Sequence, residues 1–274
     1  LTELRIAAFI AVRNGADYLR RTLPHLARNG ISAVVIDNQS SDGLRDIVNE
    51  YNQSGATITL AELPFHGRFD LSRQLEAKAG LIDASNADWV IHLDVDEMPH
   101  SCQEGESLAQ AIARADAAGY NAINFEEFVF LPVGLPAAAT APRQHSYFSF
   151  SHYYFYEPLK QRLMRAWRRD CGFSNVRQGG HRLTGKDLRL SPENQVLRHY
   201  PFLSQEHAYE KYRQRRYSED ELARGWHGNR IDVSRLQFSF PPARELQVLR
   251  RVDQHGLDRS RPRMKHYWEW ADRP

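Results

Sequence analysis

Cysteine is scarce in this chain: two residues in 274, Cys102 and Cys171, far apart and without Cys-x-x-Cys spacing. Neither a zinc knuckle nor a disulfide framework is indicated, and a reducing cytoplasm suits such usage. Long apolar runs are missing too. None approaches the ~18 residues of a membrane span, and no secretory signal is visible. The chain opens on Leu1 instead of Met, which suggests a trimmed sequence and leaves room for an anchor or leader outside it. Large charge of one sign is also absent: 36 Lys and Arg against 34 Asp and Glu leave a net +2. Bulk electrostatics therefore give no argument for a nucleic-acid partner, although local basic patches could meet phosphates. No internal repeat and no low-complexity segment is present.

What is there is the composition of a soluble globular protein, 42% hydrophobic and 26% charged. The length suits one α/β domain with a C-terminal extension. The most informative stretch is Asp88-Trp89-Val90-Ile91-His92-Leu93-Asp94-Val95-Asp96-Glu97. Its apolar run reads as a buried strand, and it ends in three carboxylates within four residues. Asp94 and Asp96 share one side of an extended chain, because side chains alternate across a strand. Like charges so close raise each other's pKa unless a cation intervenes, and a hard divalent ion with oxygen ligands would relieve them. A solvated loop or a helix cap is the plainer account of an acidic cluster. Its place at the C-terminal edge of a buried strand, where open α/β sheets hold ligands, favours a site.

From the N-terminus, Arg5–Val12 is predicted as a strand, followed by a helix carrying Tyr18, Leu19, Leu23 and Leu26 and stopped by Asn29-Gly30. Ile31–Ile36 is a second strand. Leu44–Tyr51 is a helix with Ser40, Ser41 or Asp42 available to cap it. Ile58–Leu60 is a third strand, and Asp70–Ala84 a helix with Arg73 and Gln74 in its first turns. Four such units in about one hundred residues make a parallel α/β sheet the economical account.

Val12-Arg13-Asn14, Ile36-Asp37-Asn38-Gln39-Ser40-Ser41-Asp42-Gly43, the helix with Arg73-Gln74, and Trp89–Glu97 together resemble a family 2 glycosyltransferase. The resemblance covers roughly the first hundred residues. It implies a GT-A type, Rossmann-like, mostly parallel sheet flanked by helices, with a helical C-terminal extension. The implied division is a GT-A domain over residues 1–203, with a nucleotide-sugar half to about 100 and an acceptor half over 101–203, followed by an extension over 204–274. The implied donor is a nucleoside-diphosphate sugar, with Mn or Mg as cofactor. Val12, Arg13, Asn14 and Val95 would be among the donor contacts. Asp37 and Asn38 would approach the base and ribose, Arg73 the base or diphosphate, and Asp94 and Asp96 the ribose and metal. Where the family often has a second acid, this chain has Asn38, whose amide both donates and accepts hydrogen bonds.

Beyond the acids, Leu108–Ala118 is predicted as a helix and Tyr120–Phe130 as a strand that turns Glu126 and Glu127 to opposite faces. Leu131–Thr140 is a loop without periodicity, and the stretch to Tyr147 carries no readable specificity code. The aromatic run Phe148, Phe150, Tyr153, Tyr154, Phe155 and Tyr156 reads as core ahead of a sugar-stacking platform. Lys160–Arg169 alternates basic and apolar residues. Arg162 and Arg165 could face a diphosphate, or the segment could be a solvated basic edge. His181 follows two glycines, and His199 follows the strand-like Gln195-Val196-Leu197. A late His of this kind in related sugar transferases implies His199 as a third metal ligand beside Asp94 and Asp96. Glu206–Leu222 reads as a charged helix and Arg244–Val252 as another. Lys211, Arg213, Arg215 and Arg216 could touch an anionic membrane face, a plain solvated helix being the simpler account. The location expected is cytoplasmic, with peripheral contact at the inner membrane face as an extension.

The expected reaction is metal-assisted, inverting transfer of a sugar to a hydroxyl of a glycan or lipid-linked acceptor, in polysaccharide or glycoconjugate synthesis. Asp187, Glu127 and His181 are the candidate bases, Asp187 first because it follows a Gly-containing loop late in the chain. Two alternatives stand beside this. One is a nucleotidyltransferase acting on a sugar phosphate, for which Val12-Arg13-Asn14-Gly15 is a poor phosphate loop. The other is a non-catalytic sugar-binding or scaffold protein of the same fold.

Overall fold

The computed structural model describes residues 4–133, 149–235, 237–251 and 256–270. The first apolar run forms β1 (Ile6–Val12), buried throughout. Its even residues Ile6, Ala8, Ile10 and Val12 pack with Leu19, Leu23 and Leu26 of α1 (Ala16–Arg28). Its odd residues Ala7 and Phe9 pack on the other face with Ile82 of α3 (Leu71–Ala84). Helices covering both faces explain why the strand reads as continuously apolar and not as alternating. β2 (Ser32–Asp37), β3 (Ile58–Glu62) and β4 (Trp89–Leu93) complete a parallel set in the order β3-β2-β1-β4. All four carboxyl ends therefore lie on one edge, as right-handed crossovers require.

The cap expected for α2 (Leu44–Gln53) is not formed. Gly43 occupies the cap position without a side-chain bond, and Asp42 instead accepts the N–H of Ala16, 2.8 Å away, at the start of α1. Ser40 accepts the N–H of Asn14 at 2.9 Å. The polar loop after β2 thus ties itself to the turn after β1.

Past β4 the sheet becomes antiparallel at most of its pairings. β4 meets β8 (Leu163–Arg168), β8 meets β6 (Ala122–Leu131), and β6 meets β7 (His152–Tyr156), all antiparallel. Among the described residues between Leu93 and Gln195 the only α-helix is α4 (Leu108–Ala117), so crossovers that would keep strands parallel are largely missing there. β5 (Glu97–His100) pairs with β9 (Gln195–His199), which also runs parallel to β6.

The aromatic run is core: Phe150, Tyr153 and Phe155 pack with Phe128, Phe130 and Tyr200, and Tyr154 with Phe202 and Phe238. Phe148 and most of the loop from Leu131 to Tyr147 lie outside the described residues.

The charged helix expected over Glu206–Leu222 divides into α5 (Gln205–Arg213) and α6 (Glu219–Ala223). Between them the chain leaves the helix to pair with the segment before α3: the Phe69 N–H donates to the Arg216 carbonyl at 2.7 Å. The helix expected over Arg244–Val252 is not present. A 3-10 turn at Ala243–Glu245 leads into β10 (Gln247–Val248), which extends the sheet beyond β7. The edge of β7 supplies backbone partners there, and Leu246 and Leu249 are still buried. Among the described residues no helix is long and apolar enough to cross a membrane.

Candidate active site

A cleft of about 750 Å³ opens at the carboxyl ends of β1 and β4. Asp94 and Asp96 both line it, though not from an extended strand. β4 ends at Leu93, and Asp94–Glu97 makes a tight turn in which the Glu97 N–H donates to the Asp94 carbonyl at 3.1 Å. The Glu97 carboxylate accepts the Asp94 N–H at 2.9 Å. Closing the turn this way reverses the chain into β5, and β5 recruits β9. Pairing of Glu97 with His199 and of Val129 with His199 then carries that imidazole to the acids.

Each carboxylate of the turn meets cationic side chains. Asp94 has Lys78 Nζ and Arg165 Nη2 each at 3.5 Å. Desolvation would raise its pKa, but Lys78 and Arg165 outweigh this and hold it below the usual carboxylate range. Arg165, buried, also reaches Glu97 at 2.6 Å and donates to the Gly180 carbonyl at 3.1 Å. Asp96 has Lys211 Nζ at 2.9 Å and His199 Nε2 at 3.6 Å. Burial is again opposed, by Lys211 and His199, which keep Asp96 well below its ordinary value. His199 Nδ1 lies 2.6 Å from Glu127, which is also ion-paired with Arg162. Although desolvation favours the neutral ring, Asp96 and Glu127 raise the His199 pKa well above its usual range.

The three residues expected to ligate a metal, Asp94, Asp96 and His199, therefore converge without forming a metal site. Side-chain cations stand at the carboxylate oxygens, Lys78 and Arg165 at Asp94 and Lys211 at Asp96. Among the described residues no group of three or more His, Cys, Asp or Glu side chains is arranged to hold an ion. As placed, these residues do not fit Mn or Mg.

Of the donor-side expectations, Val12, Arg13, Asn14, Asn38 and Val95 line the cleft. The Arg13 guanidinium stacks on Phe65 at 3.6 Å and donates to the carbonyls of Asn38 and Gln39. Asn38 Nδ2 donates to the Leu63 carbonyl at 2.9 Å. Asp37 does not line the cleft: its fully buried carboxylate accepts from Ser40 N–H at 2.7 Å and Arg45 Nε at 2.9 Å, so it builds the loop behind the cleft. Arg73 is turned toward His66 at 2.7 Å and is also outside the lining, where Gln74 stands instead.

Among the expected bases, His181 and Glu127 face the cleft and Asp187 does not. Asp187 sits beside Asn121, whose amide donates to its carbonyl at 2.9 Å. Asn121 precedes β6, and six residues of strand at about 3.3 Å each separate that end from Glu127, so Asp187 belongs to the opposite edge of the sheet. Glu127 is held well below the usual range: burial opposes this, but Arg162 and His199 prevail. A carboxylate so held is a poor proton acceptor. Desolvation at the cleft wall, with Arg162 and Arg165 nearby, lowers His181 to about 3 and keeps it neutral. Gly180 lets this loop close on the sheet, since it has φ +81° and a Cβ there would meet His92 Nε2 at 2.9 Å.

Lys78 escaped notice in the sequence, although a signal was available. It falls between Leu75 and Ile82 at helical spacing, a lysine on an apolar face, and is 3% exposed. Lys211 turns inward instead of toward a membrane, and Arg215 and Arg216 line the same cleft.

Residues 7–126 match the family described as Glycosyl transferase family 2. No match was found among curated proteins. Among solved structures, S. aureus TarS is similar at 13% identity and TM-score 0.47, over 80% of this chain and 41% of that one. S. aureus TarS 1-349 in complex with UDP gives 15% and 0.45, over 77% and 64%. The mannosyltransferase PcManGT from Pyrobaculum calidifontis, in complex with GDP-Man and Mn2+, gives 15% and 0.45, over 77% and 61%. This chain spans less than two thirds of the length of each.

Proposed function

We propose, from the match of residues 7–126 to glycosyl transferase family 2, that this chain moves a sugar from a nucleotide-sugar donor to an acceptor hydroxyl. The observation that carries the reading is the cleft at the carboxyl ends of β1 and β4, with the Asp94–Glu97 turn at its floor and basic side chains around it. Arg13, Asn14, Asn38, Val12 and Val95 form the donor-nucleoside side. The acceptor oxygen bonds to the anomeric carbon as the bond from that carbon to the diphosphate breaks. The electron pair leaves with the diphosphate, and the hydroxyl proton passes to a base. His181 and Glu127 face the cleft and are the candidates for that base; burial or neighbouring cations hold both well below the operating pH, so neither is preferred. A single displacement inverts the anomeric centre.

A divalent ion would fall to Asp94, Asp96 and His199 only if Lys211 withdrew from Asp96, so no step is assigned to one. The acceptor, a glycan or lipid-linked hydroxyl in polysaccharide or glycoconjugate synthesis at the cytoplasmic face, rests on the family resemblance alone.

Incubation with a panel of nucleotide-sugars tests the reading, following release of nucleoside diphosphate in the presence of candidate acceptors. Release of pyrophosphate from a nucleoside triphosphate and sugar phosphate would replace it with nucleotidyl transfer. The compensated acids favour a second reading, a sugar-binding protein of this fold without turnover. Binding of a nucleotide-sugar with no release of diphosphate would select it.

A further inference from the structure

We propose that this chain neutralises the departing diphosphate with its own side chains, Lys211 foremost, at the position a divalent cation would need. The inference rests on the nucleotide-sugar reading and adds to it the means of charge balance.

Four observations support it. Lys211 Nζ is 2.9 Å from Asp96 Oδ2 and 2.9 Å from the Pro201 carbonyl, with the Phe202 ring 5.6 Å away. An ion bound to Asp96 would lie about 2.0–2.1 Å from its oxygen, a volume that the ammonium already fills. The lysine is also fixed in place, its side chain 14% exposed and the carboxylate it meets 12%. A surface lysine bound by chance would be neither.

Charge within the cluster is balanced without an ion. Asp94, Asp96, Glu97 and Glu127 face Lys78, Arg162, Arg165 and Lys211, four acids against four bases. A divalent ion would add two charges to a group already neutralised, against like charges a few ångströms away. Finally, an ammonium carries three donors, and two of those on Lys211 have protein acceptors. The third can serve a phosphate oxygen.

The same segment contributes more basic residues to the cleft. Arg215 stacks on Phe69 at 4.6 Å, and Arg216, whose carbonyl accepts the Phe69 N–H, follows it. Glu221 fastens this region to α3 by accepting the Ser72 N–H at 2.7 Å. Residues after 204 thus complete the charge of a cleft whose floor comes from β4.

Calorimetric titration of the full chain with UDP, GDP, CDP and dTDP, in EDTA and in MnCl2, decides the matter. The expected result is binding of at least one diphosphate in EDTA with an affinity that Mn2+ does not improve. Lys211→Met should weaken that binding about 10- to 100-fold, the worth of one hydrogen bond between charged groups, while Lys211→Arg keeps most of it. Melting curves of the variants establish that they fold, and the wild-type comparison stands if Lys211→Met does not. Binding that appears only with Mn2+ overturns the proposal and leaves the nucleotide-sugar reading intact. Binding by a folded Lys211→Met equal to wild type in EDTA also overturns it. No binding of any of the four in either buffer overturns the nucleotide-sugar reading itself.

Discussion

The two walls of the cleft are assembled on different length scales. The wall from β1 and β2 is stitched by neighbours in the crossover unit: Asp37 with Arg45 eight residues on, Asp42 with Ala16, Asn38 with Leu63. The wall beyond Leu93 is held by pairs far apart in sequence: Glu97 with Arg165, Glu127 with His199, Asp96 with Lys211. In the first wall Asp42 and Asn38 bind backbone, and the Asp37 carboxylate that meets Arg45 is fully covered. In the second, charges meet charges at the edge of an open space. A local wall loses a cap or a turn when one residue is changed. A long-range wall leaves a buried charge alone.

The variant that separates the two most strongly is Arg165→Met. It strips Glu97 and Asp94 of a partner at 2.6 and 3.5 Å while keeping the apolar bulk of a buried side chain. Removing one member of a buried pair costs about 3–5 kcal/mol, so urea unfolding should show a loss of that size. A loss under about 1 kcal/mol, the value of an exposed pair, would mean that the cluster is solvated and the contrast between the walls is false. Asp96→Ala belongs to the same class. Read from the sequence it removes repulsion; in the structure it removes the partner of Lys211 and His199, so it should destabilise as well as inactivate.

Gly180→Ala comes next. The residue lies in the left-handed region, where an added Cβ costs about 1–2 kcal/mol, and it would press on His92. Because Gly180 also gives its carbonyl to Arg165, turnover should fall more than stability does. Equal activity in a folded variant would remove the His181 loop from the site.

Parallel strands β1 to β4 were legible because each is an apolar run between turn residues, buried on both faces by helices. The aspartates of the Asp94–Glu97 turn were legible because a carboxylate pair after such a run is costly in any fold. Their partners were not. Nothing around Lys211 distinguishes it from Arg213 two residues on, which stays exposed; the difference is made by α5 packing against the Pro201-Phe202 corner. Asp187 was misplaced for the complementary reason: late position in the chain says nothing about which edge of the sheet a loop reaches. Lys78 could have been found, since a lysine between Leu75 and Ile82 contradicts the apolar stripe it sits in.

In the local wall the corresponding test is Asp42→Ala. The lost bond to the Ala16 N–H is a helix cap delivered from another loop, and caps are worth about 1 kcal/mol. A thermal shift of that order is expected, with nucleotide binding affected through Asn14 on the same turn and nothing changed in the Asp96 pair. If Lys211 chemistry responded as well, the walls would be coupled and the comparison would need redrawing.

The smallest effect is reserved for a pair remote from the cleft, at the opposite end of β4. Arg5 binds the Asp88 carboxylate at 2.9 Å with both partners partly in water. The Arg5 side-chain hydrogen bond is the main reason that Asp88 falls from 3.8 to about 2. A carboxylate lowered in the folded state favours folding wherever it is ionised, because the unfolded chain binds the proton more readily. That contribution is present above about pH 4 and disappears as pH drops toward 2. Asp88→Asn should therefore be slightly less stable than wild type at pH 7, and the two stability curves should converge between pH 4 and 2. Curves that stay parallel through that window would show that the pair contributes nothing through charge. Its place at the amino end of β4 would then be one of geometry, the Arg5 backbone N–H donating to the Asp88 carboxylate at 2.9 Å.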